Sequence, residues 1–254
     1  MASTTFETDV TVIEADWLND VNTSVYEEVA NVKHYGAVGD GVTNDTVTIK
    51  SAIESYLANT VLRGLQQRES IKILFPSGTY LVDPDTVSSY TASSAISLVF
   101  QGDGMFNSSI VLSSNGSLDA FTTHAKMLFP AFRDLAFYGD SYYDTDPDDA
   151  TNPVSTNRNF IHSNTNAVQG FRFYNCYFAR FGKVFIFEGT NNEAEDKWFG
   201  CKAFANGDWL TLSNNQSFNH EHYSTDIEVY TGSIVHIPAA DYSGDGGEVS
   251  GGAS

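Results

Sequence analysis

Apolar and polar positions change rhythm twice along the chain. In "EADWLNDVNTSVYEEV", Trp17, Leu18, Val21, Val25 and Val29 fall near helical spacing behind Asp16, which predicts a short helix capped by that aspartate. A second helix is predicted in "NDTVTIKSAIESYLANTVL", where Val47, Ile49, Ala52, Ile53, Tyr56 and Leu57 form an apolar stripe and Asn44 or Asp45 serves as cap. Between the two, "NVKHY" reads as a strand and "YGAVGDGVTNDT" as a glycine-rich connection. After residue 70 the pattern becomes short alternating runs broken by Gly, Asn, Ser and Pro: "IKILFPSGTYLV", "AISLVFQGDG", "SSIVLSS" and "FRDLAFYGD".

These strands carry a repeat. Gly182, Gly207 and Gly232 are spaced 25 apart, and "KVFIF", "DWLTL" and "SIVHI" align after them without gaps. Ahead of the glycines, "FRFYNCYFARF", "DKWFGCKAFAN" and "EHYSTDIEVYT" align as well, with Cys176 over Cys201. A register kept through three units predicts a parallel β-helix, in which each coil stacks on the last. Strand residues two apart share a face. Phe185/Leu210/Val235, Phe187/Leu212/Ile237 and Phe173/Trp198/Tyr223 are therefore expected as interior columns. Ile186/Thr211/His236, Arg172/Lys197/His222 and Val184/Trp209/Ile234 are expected outside. Counting on from the third unit reaches "GGEVSGGAS", where a fourth coil begins, so the chain reads as the N-terminal portion of a longer protein. Residues 70–254 leave room for about seven coils, roughly 34 Å of solenoid.

Charge narrows the partners. Acidic residues number 32 against 13 basic ones, a formal net charge of -19, which argues against nucleic acid and against anionic membranes. The apolar runs are too short to span a bilayer, and "MASTTFETDV" lacks the features of a secretory signal. Two cysteines make no disulfide framework; as stacked neighbours in a chain folded in a reducing cytosol they read as thiols. The spacing of Gly36 and Gly41 matches a phosphate-binding loop, but Val42 stands, before Thr43, where that loop needs its Lys, and Asp40 would repel a phosphate. The connection reads as a turn.

The segment "VKHYGAVGDGVTNDTVTIKSAIESY" resembles the opening of the pectate-lyase-like β-helix domains of bacteriophage tailspikes and polysaccharide-degrading enzymes. "ILFPSGTYLV", "LVFQGDG…SIVL" and "FRDLAFYGD" are similar to that family's next strands, in the same order. The leader "TDVTVIEADWLNDVNTSV" is similar to the segment ahead of the β-helix in phage tail fibres and tailspikes, with Asp16, Trp17, Leu18 and Asn19 as the recurring motif. The resemblance implies a mainly β protein, a right-handed parallel β-helix, in three parts: a virion-attachment leader over 1–30, a strand, turn and capping helix over 31–69, and the solenoid over 70–254. It further implies a phage tailspike or tail fibre, synthesised in the host cytoplasm and carried in the virion as a homotrimer. Such a protein docks on other tail proteins and recognises, and in some members degrades, host surface polysaccharide. The alternatives are a free-standing polysaccharide lyase or glycoside hydrolase, and a non-catalytic structural fibre. No cofactor is implied.

Glycoside hydrolysis needs two carboxyl groups about 5–9 Å apart across a sugar. Asp226 and Glu228, two apart on one strand, are expected about 7 Å apart on the outer face, and Glu188 ends "VFIFEG"; these are the catalytic candidates, with Asp134 behind them. Trp209 and His236 in outer columns are candidates for sugar stacking or for the contact between subunits. "DYSGDG" lacks the closing Glu of a calcium loop, "DTDPDD" lacks its glycine, and His220-Glu221-His222 offers two histidines without a third ligand, so no metal site is expected.

Overall fold

The computed structural model describes residues 29–62, 70–84, 97–113, 119–123, 130–139, 158–163, 170–188, 193–213, 217–229 and 232–237. The leader helix expected behind Asp16 and the motif Asp16–Asn19 lie outside these residues. Among the described residues the chain makes seven coils. The first holds β1 (Val29–Asn31), β2 (Asp40–Asn44) and the helix α1 (Thr46–Leu62); the second, β3 (Ser70–Phe75) and β4 (Gly78–Val82). The third holds β5 (Ser97–Gly102), β6 (Ser108–Leu112) and β7 (Asp119–Thr123); the fourth, β8 (Ala131–Arg133), β9 (Ala136–Tyr138) and β10 (Asn159–Ser163). The fifth holds β11 (Arg172–Tyr174), β12 (Tyr177–Ala179) and β13 (Lys183–Phe187). The sixth runs through β14 (Glu193–Ala194), β15 (Lys197–Phe199), β16 (Lys202–Asn206) and β17 (Asp208–Leu212). The seventh runs through β18 (Ser217–Phe218), β19 (Glu221–Tyr223), β20 (Asp226–Val229) and β21 (Val235–His236).

These strands stack into three parallel faces. The first is β1-β3-β5-β8-β11-β15-β19, the second β2-β4-β6-β9-β12-β16-β20, and the third β7-β10-β13-β17-β21, with β14-β18 as a small fourth ladder. The result is the right-handed parallel β-helix that the repeat predicts.

The helix closes the first coil. Ile49, Ala52 and Ile53 are buried, whereas Val47, placed in the apolar stripe by spacing, is exposed at the first turn. Asp45 caps by its carbonyl, which accepts the Ile49 N–H at 3.0 Å, and Asn44 Oδ1 accepts the Thr46 N–H at 3.0 Å. The buried Asp45 carboxylate instead gathers the N–H groups of Val38 (2.7 Å) and Gly39 (3.0 Å). Gly36 and Gly39 take φ of 98° and 68°, so the glycine-rich connection is a turn fastened by its own aspartate.

The corner between the first and second faces repeats one residue in left-handed conformation: Asp134 (φ 54°), Asn175 (51°), Gly200 (60°) and Ser224 (48°). Asp, Asn and Gly bear that conformation best. The N–H groups of Asp134, Asn175 and Gly200 bond to the following coil at Tyr174, Phe199 and Tyr223 carbonyls. Next to this corner Cys176 and Cys201 are buried, free thiols, stacked as expected. At the corner entering the third face, adjacent coils almost touch: a Cβ on Gly207 would lie 2.0 Å from the Gly182 carbonyl oxygen. That is why the 25-residue repeat is marked by glycine.

The core is an aromatic stack. Phe100, Phe132, Phe173 and Trp198 lie nearly parallel in successive coils, at 5.1, 5.1 and 5.6 Å between rings. The column continues into His222, 4.4 Å from Trp198, and not into Tyr223. Spacing of 25 therefore fails here: β19 pairs one residue earlier, an irregularity between Ala203 and Asn206 shortens the offset again, from 24 residues to 23, and the count of 25 returns only where Leu210 meets Val235. Tyr223 moves to the outer face, stacking on Phe199 at 4.8 Å, and Lys197 faces Glu221 in an ion pair of 2.9 Å.

The third face corrects a second expectation. Phe185 pairs with Leu210 and Leu210 with Val235, as the alignment requires. Trp209 and Val184, however, are fully buried (0% exposed) rather than external, and Ile186 and Thr211 are buried too. The Trp209 and Leu210 N–H groups both bond to the same neighbouring strand, at Ser233 O (2.9 Å) and Ile234 O (3.0 Å). In a regular parallel strand consecutive N–H groups point to opposite neighbours; here the chain bends after Gly207 and two successive side chains enter the core. Trp209 packs edge-on against Phe178 and Phe185.

Candidate functional site

The outer side of the third face carries a hydrogen-bonded charge cluster. Asp119 opens β7, and Asn159 stands opposite it in β10, donating its amide to Asp119 Oδ1 at 2.7 Å. Three residues on, His162 turns its Nδ1 to Asp119 Oδ2 at 2.8 Å and its Nε2 to Glu188 Oε2 at 3.0 Å. Glu188 is placed by the N–H it donates to Ser163 O at 2.8 Å, just past the end of β13. Three consecutive coils thus bring an acid, a histidine and an acid into one line.

Burial grades the cluster. Asp119 is 15% exposed, His162 21% and Glu188 47%. The Asp119 hydrogen bond pushes His162 up to about 9 against the opposing effect of burial, with Glu188 adding to the rise. Burial alone would raise Asp119, but the bonds from His162 and Asn159 prevail and hold it below the usual carboxylate value. His162 is therefore an imidazolium at neutral pH, fixed from behind by a carboxylate whose oxygens are both engaged. Glu188 is the member that meets solvent. This arrangement offers a ligand one accessible carboxylate, suited to act as base or nucleophile, with a proton held beside it.

The same geometry recurs three coils on. Asp208 occupies the strand-opening column of Asp119, and His236 lies with Nδ1 3.8 Å from Asp208 Oδ2 and half exposed. His236 thus sits on the outer face, as its column predicts. Trp209 does not: being buried, it presents no surface to a sugar or to a subunit.

Asp226 and Glu228 are both exposed on β20, on the outer side of the second face, opposite in register to the neighbourhood of Lys202. They belong to a different face from Glu188, so the three candidate acids do not converge on one site. Asp134 is a corner residue whose carboxylate accepts the Asn175 amide at 2.8 Å. Among the histidines of "HEH", His220 lies 3.1 Å from Asp196, whose carboxyl is raised by burial despite the histidine's pull, and His222, itself exposed, stacks on the buried Trp198. Among the described residues no three His, Cys, Asp or Glu side chains converge to hold a metal ion. The acidic segments 144–149 and 241–246 lie outside the described residues.

A solenoid of three parallel faces is the pectate-lyase-like architecture. Residues 29–179 match the model of the rhamnogalacturonase A/epimerase, pectate lyase-like family, and the chain belongs to that family. No curated protein matches it. Among solved structures, ORF18 of Geobacillus virus E2 is similar with a TM-score of 0.51 and 17% identity, over 83% of this chain and 44% of that one. The A-module of the mannuronan C-5 epimerase AlgE4 of Azotobacter vinelandii gives a TM-score of 0.41 at 16% identity, over 82% of this chain and 53% of that one. WceF of Pantoea stewartii, a glycan biofilm modifying enzyme with a bacteriophage tailspike-like parallel β-helix fold, gives 0.43 at 15% identity, over 82% and 30%. At these identities the likeness is one of fold, and the chain spans less than half the length of the virus protein.

Proposed function

We propose that this chain is part of a phage tail protein, a tailspike or tail fibre, whose solenoid recognises host surface polysaccharide. The observation that carries the reading is the outer-face line Asp119–His162–Glu188, an accessible carboxylate braced across three coils of a polysaccharide-acting fold family. The virion setting is supported by the leader motif Asp16–Asn19 and by the fold shared with a Geobacillus virus protein. In this reading residues 1–30 attach to another tail protein, residues 31–69 start and cap the solenoid, and three chains associate into a homotrimer carried in the virion. The same cluster favours a second reading, in which the protein also cuts or modifies the polysaccharide, with Glu188 as the reacting group and His162 as the residue that positions it.

Light scattering of the purified chain, with and without host polysaccharide whose length is followed in parallel, tests both. Three chains per particle and co-elution with polysaccharide support recognition. Shortening by the wild type and not by Glu188→Gln supports cleavage. The absence of both co-elution and shortening overturns the proposal.

A further inference from the structure

The second face carries an aromatic platform that the acid cluster does not use. Phe106 projects from the turn between β5 and β6 and is 67% exposed, an unusual place for a phenylalanine. Its turn is tightly tied: the Asn107 and Ser108 N–H groups bond to Gly104 O, and Asn107 O accepts the Gly78 N–H at 2.9 Å. Asp103 Oδ2 takes the Ser77 N–H at 2.8 Å. The ring is thus held out by a rigid support. It lies 5.4 Å from the ring of Tyr177, two coils on, at an angle of 56°, and Tyr138 lies 5.8 Å from Tyr177 at 55°. Ala136, directly between Ser109 and Tyr177 in register, is small enough to let Phe106 reach across.

Beyond Ala136 the column of Tyr177 is polar: Ser109 lies two coils before it, and Lys202 and Asp226 follow in successive coils. An exposed ring beside two half-buried ones, in line with hydroxyl, ammonium and carboxylate groups, matches the apolar faces and hydroxyl edges of a sugar chain laid along the solenoid. Charge selects among sugar chains. The net charge of -19, with Asp226 and Glu228 on this same face, repels a polyanion.

We infer that the second face binds an uncharged polysaccharide, one hexose stacking on Phe106 and Tyr177, in preference to a uronate polymer. This rests on the polysaccharide reading above and deepens it by naming the class of glycan. The exposed ring takes no part in the core, so Phe106→Ala should fold, and Phe106→Tyr should restore the platform.

The test measures calorimetric affinity of the full 254-residue chain for neutral gluco-, manno- and galacto-oligosaccharides and for oligogalacturonates, with light scattering of each variant. The expected result is binding of a neutral oligosaccharide, weakened about tenfold in Phe106→Ala and restored in Phe106→Tyr, with particle mass unchanged. Neutral binding indifferent to Phe106→Ala, or binding of oligogalacturonates alone, overturns this inference and leaves the polysaccharide reading standing. A change of particle mass in Phe106→Ala makes the platform a contact between copies and overturns it likewise. No binding to any glycan overturns both.

Discussion

Replacing His162 with Gln removes the cation that holds Asp119 and Glu188 together. In the folded chain His162 is raised from 6.5 to about 9, so its protonated form is stabilised by folding. At about 1.4 kcal/mol per unit this corresponds to roughly 3 kcal/mol, which solvent at the half-exposed Glu188 reduces to about 2 kcal/mol. A raised pKa contributes stability that is fully present below 6.5 and is lost as pH rises through about 9. The difference in unfolding free energy between wild type and His162→Gln should therefore shrink by about 2 kcal/mol between about pH 6 and about pH 10. Urea midpoints followed by tryptophan fluorescence give this difference, and an NMR titration of the imidazole nitrogens gives the pKa directly. Wild-type and variant curves that stay parallel across this range, or an imidazole midpoint near 6.5, would refute the reasoning.

Three further substitutions test the scaffold. Asp45→Ala leaves the Val38 and Gly39 N–H groups without their acceptor and should cost about 2–4 kcal/mol, read as a lower thermal midpoint. Gly207→Ala forces a Cβ to within 2.0 Å of the Gly182 carbonyl oxygen and should abolish soluble expression, whereas a soluble variant with the wild-type circular dichroism spectrum would contradict the packing at that corner. Leu210→Asp puts an unpaired charge between Phe185 and Val235 and should prevent soluble assembly; a well-folded protein would contradict the alignment of the coils.

The periodic part of this fold is legible because glycine spacing and interior columns obey the same 25-residue count, as Phe185 over Leu210 shows. What escapes is local. The β19 register follows ring stacking of His222 on Trp198, which outweighs the count, and the slip is hidden because the 25-residue offset returns where Leu210 meets Val235. Trp209 points inward because the backbone bends after Gly207, which alternation alone does not reveal. In the candidate site, Glu188 stands out as an acid ending an apolar strand, but Asp119 and His162 do not. Their coils are separated by 40 residues between Asp119 and Asn159, so the 25-residue alignment never superposes them. The available signal is the motif shared with Asp208 and His236: an aspartate opening one strand and a histidine three places into the next.

The central claim is that this solenoid meets polysaccharide on a host cell. Its most direct test is binding of the fluorescently labelled chain to host cells before and after their surface polysaccharide is removed. The account predicts saturable binding to intact cells that disappears from stripped ones. Equal binding to both, or none to intact cells, would contradict it.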